Sequence, residues 1–201
     1  MPVPRYTDLD TVHDHVWDAL ETAAEDPGHS YRQLTFATVY EETPDLRTVV
    51  LRAADADAHA LQFHSDRRSR KVEALRENNC IAWHAWDTES LEQIRLYGTA
   101  TVHVDDDVAA ALWESQSPGS LSVYPRPTAP GTPIDEPDDK LDPAVKSDPI
   151  TDDDVAGGRQ YFAAIRTVVD RVEWLHLHPD GHYRARFDYG AGEAEATWVV
   201  P

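Results

Sequence analysis

The sequence has a single cysteine, Cys80, and no stretch that approaches 18 apolar residues. One cysteine excludes an intrachain disulfide, and the absence of a long apolar run argues against a membrane-spanning helix. Neither a Gly-x-Gly-x-x-Gly motif nor a Walker-type loop is present, so any bound phosphate must be held mainly by side chains. Because the N-terminus also lacks a signal-peptide pattern, we expect a cytoplasmic protein in which Cys80 is a buried thiol.

Lysine is scarce as well: the chain has three lysines against 37 acidic residues, and its net charge is −19. An acid-rich, lysine-poor surface suits concentrated salt, because salt screens the repulsion between its charges. We therefore expect a halophilic source. The same charge argues against nucleic acid as a partner, since phosphate contacts need a basic surface.

Hydrophobic spacing predicts mainly β structure with a few helices at its periphery. Residues 7–25 have the three- and four-residue apolar spacing of an amphipathic helix, and shorter helices are expected over 69–78 and after Asp105. Short connections between the strands favour an antiparallel β-barrel of the α+β kind. The predicted strands cover residues 33–39, 47–53, 60–64, 80–86, 91–104, 161–168, 171–178, 182–189 and 196–200.

Length and composition predict one domain over residues 1–201, with residues 1–28 as an N-terminal helical annex. Residues 117–154 differ from the rest, because they are rich in proline and carboxylates and poor in apolar side chains. This composition predicts a long loop, which is either a functional cover or partly disordered. Its acidic part, residues 135–154, lacks the spaced ligands and glycine of a calcium loop, so we interpret it as solvated.

A basic window stands out in this acidic chain. Residues 47–71 hold six cations and three acids, a net charge of +3, while the other residues sum to −22. Like charges repel, so a chain that keeps these cations together is expected to bind an anion, which we interpret as phosphate. A strand passes into a helix within this window, and Ser65, Arg70 and Lys71 fit a phosphate held by a hydroxyl, a helix N-terminus and cations together.

Five motifs follow one another within residues 35–201. They are Arg-x-Val-x-Leu-Arg at 47–52, Ser-Arg-Lys at 69–71, Glu-Gln at 92–93 ahead of Gly98, Trp174, and Arg-Ala-Arg-Phe at 184–187. In this order they resemble the motifs of the pyridoxamine 5′-phosphate oxidase family, whose members are FMN-binding split β-barrels, usually homodimers with two flavins at the subunit interface. The resemblance therefore implies an antiparallel split β-barrel, FMN as the cofactor and a homodimer.

The resemblance also implies which residues contact FMN. One group holds the phosphate and ribityl end, a second approaches the isoalloxazine ring, and a third comes from the partner subunit. His64 stands where the family often has a tyrosine, so its backbone is the expected contact. Arg67 and Arg68 match no role and are expected to be solvated. The three groups are Arg47, Ser65, Arg70 and Lys71; Arg52 and Gln93; and Trp174 and Arg186. Thr48, Val49, Val50 and Leu51 complete the first strand of the site.

The expected substrate site departs from the family's pattern. Arginine and histidine are exchanged within residues 182–187. Where the family has a tyrosine, an arginine and a serine that hold the substrate phosphate, this chain offers Trp113, Ser117 and either Ser120 or Ser122. We therefore expect a divergent member: an FMN-dependent oxidoreductase with an altered site for a small-molecule substrate. His182 and Arg184 are the candidates for contacting that substrate.

Two alternatives of function stay open: a non-catalytic FMN-binding sensor or carrier module, and a flavin reductase that uses free flavin.

A metal site is not expected. His176 and His178 project from one face of a strand, but a site needs a third ligand and supporting groups. We interpret these two histidines as part of an exposed strand face.

Overall fold

The computed structural model describes residues 5–146, 148–190 and 194–201. Residues 1–4 of the predicted annex and residue 147 of the predicted loop lie outside these ranges. None of the helices in the described ranges is both long and apolar enough to cross a bilayer. The described α-helices are α1 Leu9–Glu25, α2 Arg70–Glu77, α3 Asp107–Glu114, α4 Pro118–Leu121 and α5 Asp152–Ala156. Single 3₁₀ turns lie at Ser30–Arg32, Pro143–Lys146 and Arg159–Tyr161.

A single sheet contains all the described strands, and each neighbouring pair is antiparallel. The strands are β1 Gln33–Tyr40, β2 Thr43–Val50, β3 Ala53–Asp55, β4 Ala60–Asp66, β5 Cys80–Asp87, β6 Glu92–His103, β7 Phe162–His176, β8 Tyr183–Asp188 and β9 Glu195–Val199. Their order is β2-β1-β5-β6-β7-β4-β3, and β8 followed by β9 branches from β7. Over the described residues the sheet does not close on itself.

The sheet divides at its longest strand, β7. The first half of β7 pairs with β4 and the second half with β8, while β6 runs beside both halves. The register between β6 and β7 shifts at Tyr97 and Gly98, next to this division. Glycine permits the close approach there, because a Cβ on Gly98 would lie 2.0 Å from the carbonyl oxygen of Val168. The two strands predicted over residues 161–178 are the two halves of β7.

Helix α1 covers one side of the main hydrophobic core. Its N-cap residue is Asp8, whose side chain accepts a hydrogen bond from the Thr11 N–H group at 2.9 Å. The apolar face predicted from the sequence is buried, with Val12, Val16 and Leu20 at most 1% exposed. Each such side chain stabilises the fold by about 1.5–3 kcal/mol relative to an exposed position.

Residues 117–154, the cover segment, contain short helices and a small core of their own. Leu121, Tyr124 and Val145 of this segment pack with Phe162 of β7 in a second hydrophobic cluster, which α3 also joins. Between these contacts, residues 131–140 are exposed. The cover segment is therefore packed on the sheet at both ends and carries an exposed acidic stretch between them.

Two expectations about burial are wrong. Cys80 is exposed, because it is the first residue of β5 and its side chain alternates with the buried Ile81. His176 and His178 are buried, at 0% and 9% exposed, because they lie on the same side of the chain as the core residue Trp174. Within the described residues, no group of three or more histidine, cysteine or acidic side chains could hold a metal ion.

Candidate functional site

A cavity of about 570 Å³, called the main cavity below, lies between β2, β4, the start of α2 and the cover segment. Small-molecule sites typically have volumes of roughly 300–1,000 Å³. Seven residues predicted for the site line it: Thr48, Val49, Val50, Arg52, His64, Ser65 and Lys71. The other lining residues are Gln33, Asp66, Ser69, Gly119, Ser120, Val123, Tyr124, Arg126 and Pro130.

One end of the main cavity presents hydroxyls, an amine and a helix N-terminus. Lys71 Nζ donates to Ser65 Oγ at 3.0 Å, and that oxygen lies 3.2 Å from Ser69 Oγ. Ser69 is the N-cap residue of α2, yet its hydroxyl makes no capping hydrogen bond. The first N–H groups of α2 thus lack their usual side-chain acceptor, and the positive end of the helix dipole lies at the cavity. Burial lowers the pKa of Lys71, and the Arg47 charge lowers it further.

A smaller cavity of about 280 Å³ adjoins this end and shares Ser69 and Lys71 with the main cavity. Arg47 and Arg70 line it. Arg47 is held by Asp45, whose carboxylate accepts a hydrogen bond from it at 2.5 Å. Arg70 is exposed, and its guanidinium lies 4.5 Å from the centre of the Tyr40 ring. Three cations predicted for phosphate binding therefore meet at the start of α2.

The other end of the main cavity holds Arg52 and His64. Arg52 donates to Ser120 Oγ at 3.2 Å, and His64 Nδ1 lies 2.6 Å from the Tyr124 hydroxyl. Arg52 Nε and His64 Nε2 are buried without a hydrogen-bond partner among the described residues. Burial lowers the pKa of Arg52, and burial together with the Arg52 charge lowers the pKa of His64 to about 3. At neutral pH, His64 is therefore an uncharged ring beside a cation.

Arg68 ties the cover segment to the sheet. Its guanidinium donates to both carboxylate oxygens of Asp66, and to the backbone carbonyls of Arg126 and Pro127 at 2.8 and 3.0 Å. It also lies 3.5 Å from the centre of the Tyr161 ring. The expectation that Arg68 is merely solvated is wrong, because these contacts fix the part of the cover segment that lines the main cavity.

The main cavity carries positive charge that its own carboxylates do not balance. Among the described residues, neither Arg52, Lys71 nor Arg126 has an acidic partner within ion-pair distance. Asp66 is the only acidic residue lining the described cavity, and it pairs with Arg68. In a chain of net charge −19, this arrangement favours an anionic ligand.

Some predicted site residues do not line either cavity. Gln93 lies on β6, where its amide oxygen is 3.2 Å from the His84 ring. Trp174 is fully buried, and its Nε1 donates to Glu92, so the structure offers no surface of Trp174 to a ligand. The side chain of Leu51 is also fully buried in the main core, which leaves only its backbone for a contact.

The predicted residues of the C-terminal hairpin lie away from both cavities too. Arg184 donates to Glu173 at 2.7 Å, and Arg186 Nε lies 2.8 Å from the Asp188 carboxylate. His182 is exposed just before β8. The structure thus brings together the predicted residues of 47–71, and it leaves those of 93 and 174–186 elsewhere on the described chain.

The sequence reasoning offered a functional cover as one alternative for the cover segment and named Ser120 in place of a family residue, but it gave Tyr124 and Arg126 no role in the site. Ser120, Tyr124 and Arg126 line the main cavity, as does Gln33 at the start of β1. The Tyr-Pro-Arg-Pro run at 124–127 was a signal, since Tyr124 and Arg126 each precede a proline, which restricts the backbone of the residue before it. Nothing local marks Gln33, because its place in the cavity depends on how β1 and β2 pair.

The structure is thus an antiparallel, unclosed sheet with a cation-lined cavity, and the chemistry of that cavity suits a phosphate-bearing ligand. Residues 14–104 match the sequence model of the family described as pyridoxamine 5′-phosphate oxidase, FMN-binding domain. This part of the chain, a little under half of it, is similar to the FMN-binding domain of that family, and the match supports FMN as the cofactor. The matched residues include the strands and the helix start that form one wall of the main cavity.

Solved structures share the fold at low sequence identity. A pyridoxamine 5′-phosphate oxidase-related, FMN binding protein from Nostoc punctiforme has a TM-score of 0.72 at 21% identity, with 93% of this chain and 95% of that chain covered. PhzG from Burkholderia lata, in complex with tetrahydrophenazine-1-carboxylic acid, has a TM-score of 0.73 at 16% identity, with 100% and 99% covered. These likenesses confirm the predicted fold class. No curated protein matches the sequence significantly.

The residues present fit FMN. Its phosphate needs cations and N–H donors, which the start of α2 provides together with Ser65, Ser69 and Lys71. Its ring carries hydrogen-bond acceptors along one edge, and the opposite end of the main cavity holds a buried donor without a partner among the described residues, the Arg52 Nε–H group. We therefore consider the main cavity, with the smaller cavity beside it, the candidate FMN site.

Proposed function

We propose that this protein is an FMN-dependent oxidoreductase whose main cavity binds FMN and a small-molecule substrate. The observation that carries the proposal is that Arg52, Lys71 and Arg126 line the main cavity of a strongly acidic chain without an acidic partner among the described residues. Unpaired buried cations cost free energy, so their retention is explained when a bound anion compensates them.

The proposal assigns the two ends of the site to different parts of FMN. Arg47, Arg70 and Lys71 hold the phosphate at the start of α2, with the Ser65 hydroxyl as a further donor. Arg52 lies towards the ring, where its charge stabilises negative charge that develops beside it. When bound, FMN supplies two-electron chemistry, while the protein supplies position and electrostatics.

The substrate is proposed to be a small organic molecule other than pyridoxamine 5′-phosphate. The PhzG structure from Burkholderia lata holds tetrahydrophenazine-1-carboxylic acid, which illustrates one small molecule bound on this fold. His182 and Arg184 are retained as candidate substrate contacts. Both are at least partly exposed on or beside β8, so a ligand or a partner chain can reach them.

A homodimer is part of the same proposal. Gln93, Arg184 and Arg186 lie outside the main cavity, and a second copy of the chain is what would bring them to it. Trp86 pairs in register with Gln93 and is 37% exposed, so it gives that side of the sheet an apolar surface for a partner. Sedimentation equilibrium measures the mass directly, and a monomer at all concentrations would remove this part of the proposal.

The test of the cofactor site is FMN titration followed by quenching of flavin fluorescence. Replacing both cations at the helix start, Arg70→Ala with Lys71→Ala, should raise the Kd for FMN at least ~10-fold, since hydrogen bonds to charged groups contribute about 1.5–3 kcal/mol each. Arg76→Ala is the matched control, because Arg76 is an exposed cation at the far end of the same helix. Equal affinities for the double variant and the control would contradict the phosphate assignment.

The test of the reaction type is an absorbance spectrum of the FMN-loaded protein before and after anaerobic addition of NADH or NADPH. Bleaching of the flavin bands, followed by their return with an added electron acceptor, supports an oxidoreductase. A flavin that stays oxidised with every donor supports the sensor or carrier alternative. Turnover of added free flavin at a rate that exceeds that of the bound cofactor supports the reductase alternative.

A further inference from the structure

The positive charge that lines the two cavities exceeds what the phosphate of FMN balances. The five cations there are Arg47, Arg52, Arg70, Lys71 and Arg126. Among the described residues, the acids that line the cavities are Asp45 and Asp66, which pair with Arg47 and Arg68. Four cations are thus left without an acidic partner. A phosphate monoester carries about −1.5 to −2 charges at pH 7, so at least one cation remains for a second anion after one is assigned to the flavin ring.

Arg126 differs from the other four cations in its place along the chain. The match to the FMN-binding domain covers residues 14–104, which include those four but end before Arg126. Arg126 lies on the cover segment and lines the main cavity, but not the smaller cavity at the start of α2. Loops carry the residues that distinguish one function from another on a shared fold. Arg126 therefore suits a role towards the substrate.

The backbone of Arg126 is held in place. Its carbonyl oxygen accepts a hydrogen bond from Arg68 at 2.8 Å, and its N–H group donates to the Tyr124 carbonyl at 2.6 Å. The next carbonyl, of Pro127, also accepts a hydrogen bond from Arg68, at 3.0 Å. Because Arg126 precedes a proline, its backbone is restricted further. These contacts keep Arg126 at the cavity wall without any help from its side chain.

The side chain of Arg126 has no partner of its own. It is partly exposed, and its guanidinium makes no ion pair within the described chain. Its Nε atom is buried without a hydrogen bond among those residues, whereas neither Nη atom is a buried atom. A guanidinium donates from its Nη atoms in a planar fork, which matches the oxygens of a carboxylate or a phosphate. An anion in the main cavity would provide the partner that the fold does not.

We propose that Arg126 is a specificity-determining residue of this site, and that the substrate is a small organic anion whose charged group Arg126 binds. The inference rests on the proposed function of the main cavity and adds the class of its substrate. Carboxylates and phosphates share the chemistry that an arginine recognises, so either group fits. A neutral molecule of the same shape is disfavoured, because it leaves the partly buried cation unpaired.

Titration of the FMN-loaded protein tests the proposal, with benzoate and phenyl phosphate as anionic probes and benzamide as a neutral one. A molecule that binds beside the flavin perturbs its absorbance bands, so difference spectra give the Kd of each probe. Wild type should bind at least one anionic probe at least ~10-fold more tightly than benzamide. Tighter binding of benzoate indicates a carboxylate substrate, and tighter binding of phenyl phosphate indicates a phosphate substrate.

Variants of Arg126 show whether this residue is responsible. Arg126→Gln should raise the Kd of the preferred anion at least ~10-fold and leave the Kd of benzamide within about 2-fold. Arg126→Lys keeps the charge without the planar fork, so its affinity should lie between the two. Lys146→Gln is the matched control and should behave like wild type. Lys146 is an exposed cation of the same segment that pairs with Asp139 and does not line the main cavity.

Cofactor binding separates the ways in which the inference can fail. FMN and riboflavin, which lacks the phosphate, should each bind to Arg126→Gln as they bind to wild type. If only the Kd for FMN rises, Arg126 holds the cofactor phosphate and the inference is wrong. If wild type binds FMN but prefers neither anionic probe to benzamide, the substrate class is wrong while the proposed function stands. A wild-type protein that does not bind FMN removes the proposed function itself, and this inference with it.

Discussion

At the scale of single residues, the main cavity contains polar groups whose burial lowers the stability of the folded protein when no ligand is bound. Arg52 is half-buried without a carboxylate partner in the described chain, and burial lowers its pKa. His64 Nε2 is a buried polar atom without a hydrogen bond among those residues. An unsatisfied buried group costs about 1–3 kcal/mol. Such costs are compensated when a ligand binds only the folded state, so the ligand-free protein should show them as reduced stability.

His64 should make the ligand-free protein less stable in mild acid. Its pKa falls from 6.5 to about 3 on folding, so between these values the unfolded chain takes up a proton that the folded chain excludes. The contribution of His64 to stability is therefore complete above pH 6.5 and is lost as the pH falls towards 3, by at most about 1.4 kcal/mol for each pH unit.

Urea unfolding curves of wild type and His64→Phe, measured from about pH 7 to about pH 5, check this prediction. The other titrating groups are common to both proteins, so the difference between them isolates His64. Wild type should lose about 2 kcal/mol more than the variant between about pH 7 and about pH 5. Curves that fall in parallel would show that the folded protein accepts a proton at His64 without cost.

At the scale of elements, the position of Tyr124 depends on a glycine from another part of the chain. Gly158 follows α5, and a Cβ at this position would lie 2.6 Å from Tyr124 Cβ and 2.8 Å from the ring of Pro125. Its neighbour Gly157 has no atom within 4 Å of the corresponding point. Both glycines have right-handed helical backbone angles, which alanine adopts without strain.

Gly158→Ala should therefore displace the cover segment, whereas Gly157→Ala should not. We expect Gly158→Ala to lower the free energy of unfolding by about 1–3 kcal/mol, the usual cost of overpacking, and to weaken FMN binding through the displaced Tyr124. Gly157→Ala should be neutral or more stable by about 0.5 kcal/mol. Thermal unfolding and FMN titration of the two variants measure both effects. If both variants behave alike, the contact between Gly158 and the cover segment does not position Tyr124.

The elements that carry the basic window could be predicted from sequence, because local rules determine them. Side chains alternate between two faces in β2 and β4, and the apolar residues of α2 recur at helical spacing. These local patterns place Ser65 and Lys71 beside β2. The contact between His64 and Tyr124 could not be predicted, because the two residues are 60 positions apart and are brought together by a cluster of apolar side chains that are scattered along the chain. The burial of Trp174 could not be predicted either. Alternation along β7 defines two faces of the strand, but it does not say which face packs on the core.

At the scale of the whole molecule, charge is distributed very unevenly. The exposed residues 131–140 are rich in carboxylates, while the cations around the main cavity stay unpaired by acids of the described chain. The cations at the cavity attract anions at long range, and the carboxylates on the remaining surface repel one another. Both interactions pass through the solvent. Both should weaken as salt is added, and the effect on stability depends on which dominates.

Self-repulsion should dominate, because the residues outside the basic window sum to −22. The screening length falls from about 10 Å at 0.1 M to about 3 Å at 1 M salt, so potassium chloride should stabilise the ligand-free protein across this range. We expect a gain of at least about 1 kcal/mol, equivalent to a Tm higher by about 2–4 °C. Chloride is preferred to sulfate for this measurement, because sulfate also strengthens apolar burial.

Asp135→Asn with Glu136→Gln removes two exposed charges and should give a smaller salt dependence than wild type. A Tm that stays constant or falls with potassium chloride would mean that local ion pairs, such as Arg68 with Asp66, outweigh the repulsion of the whole surface.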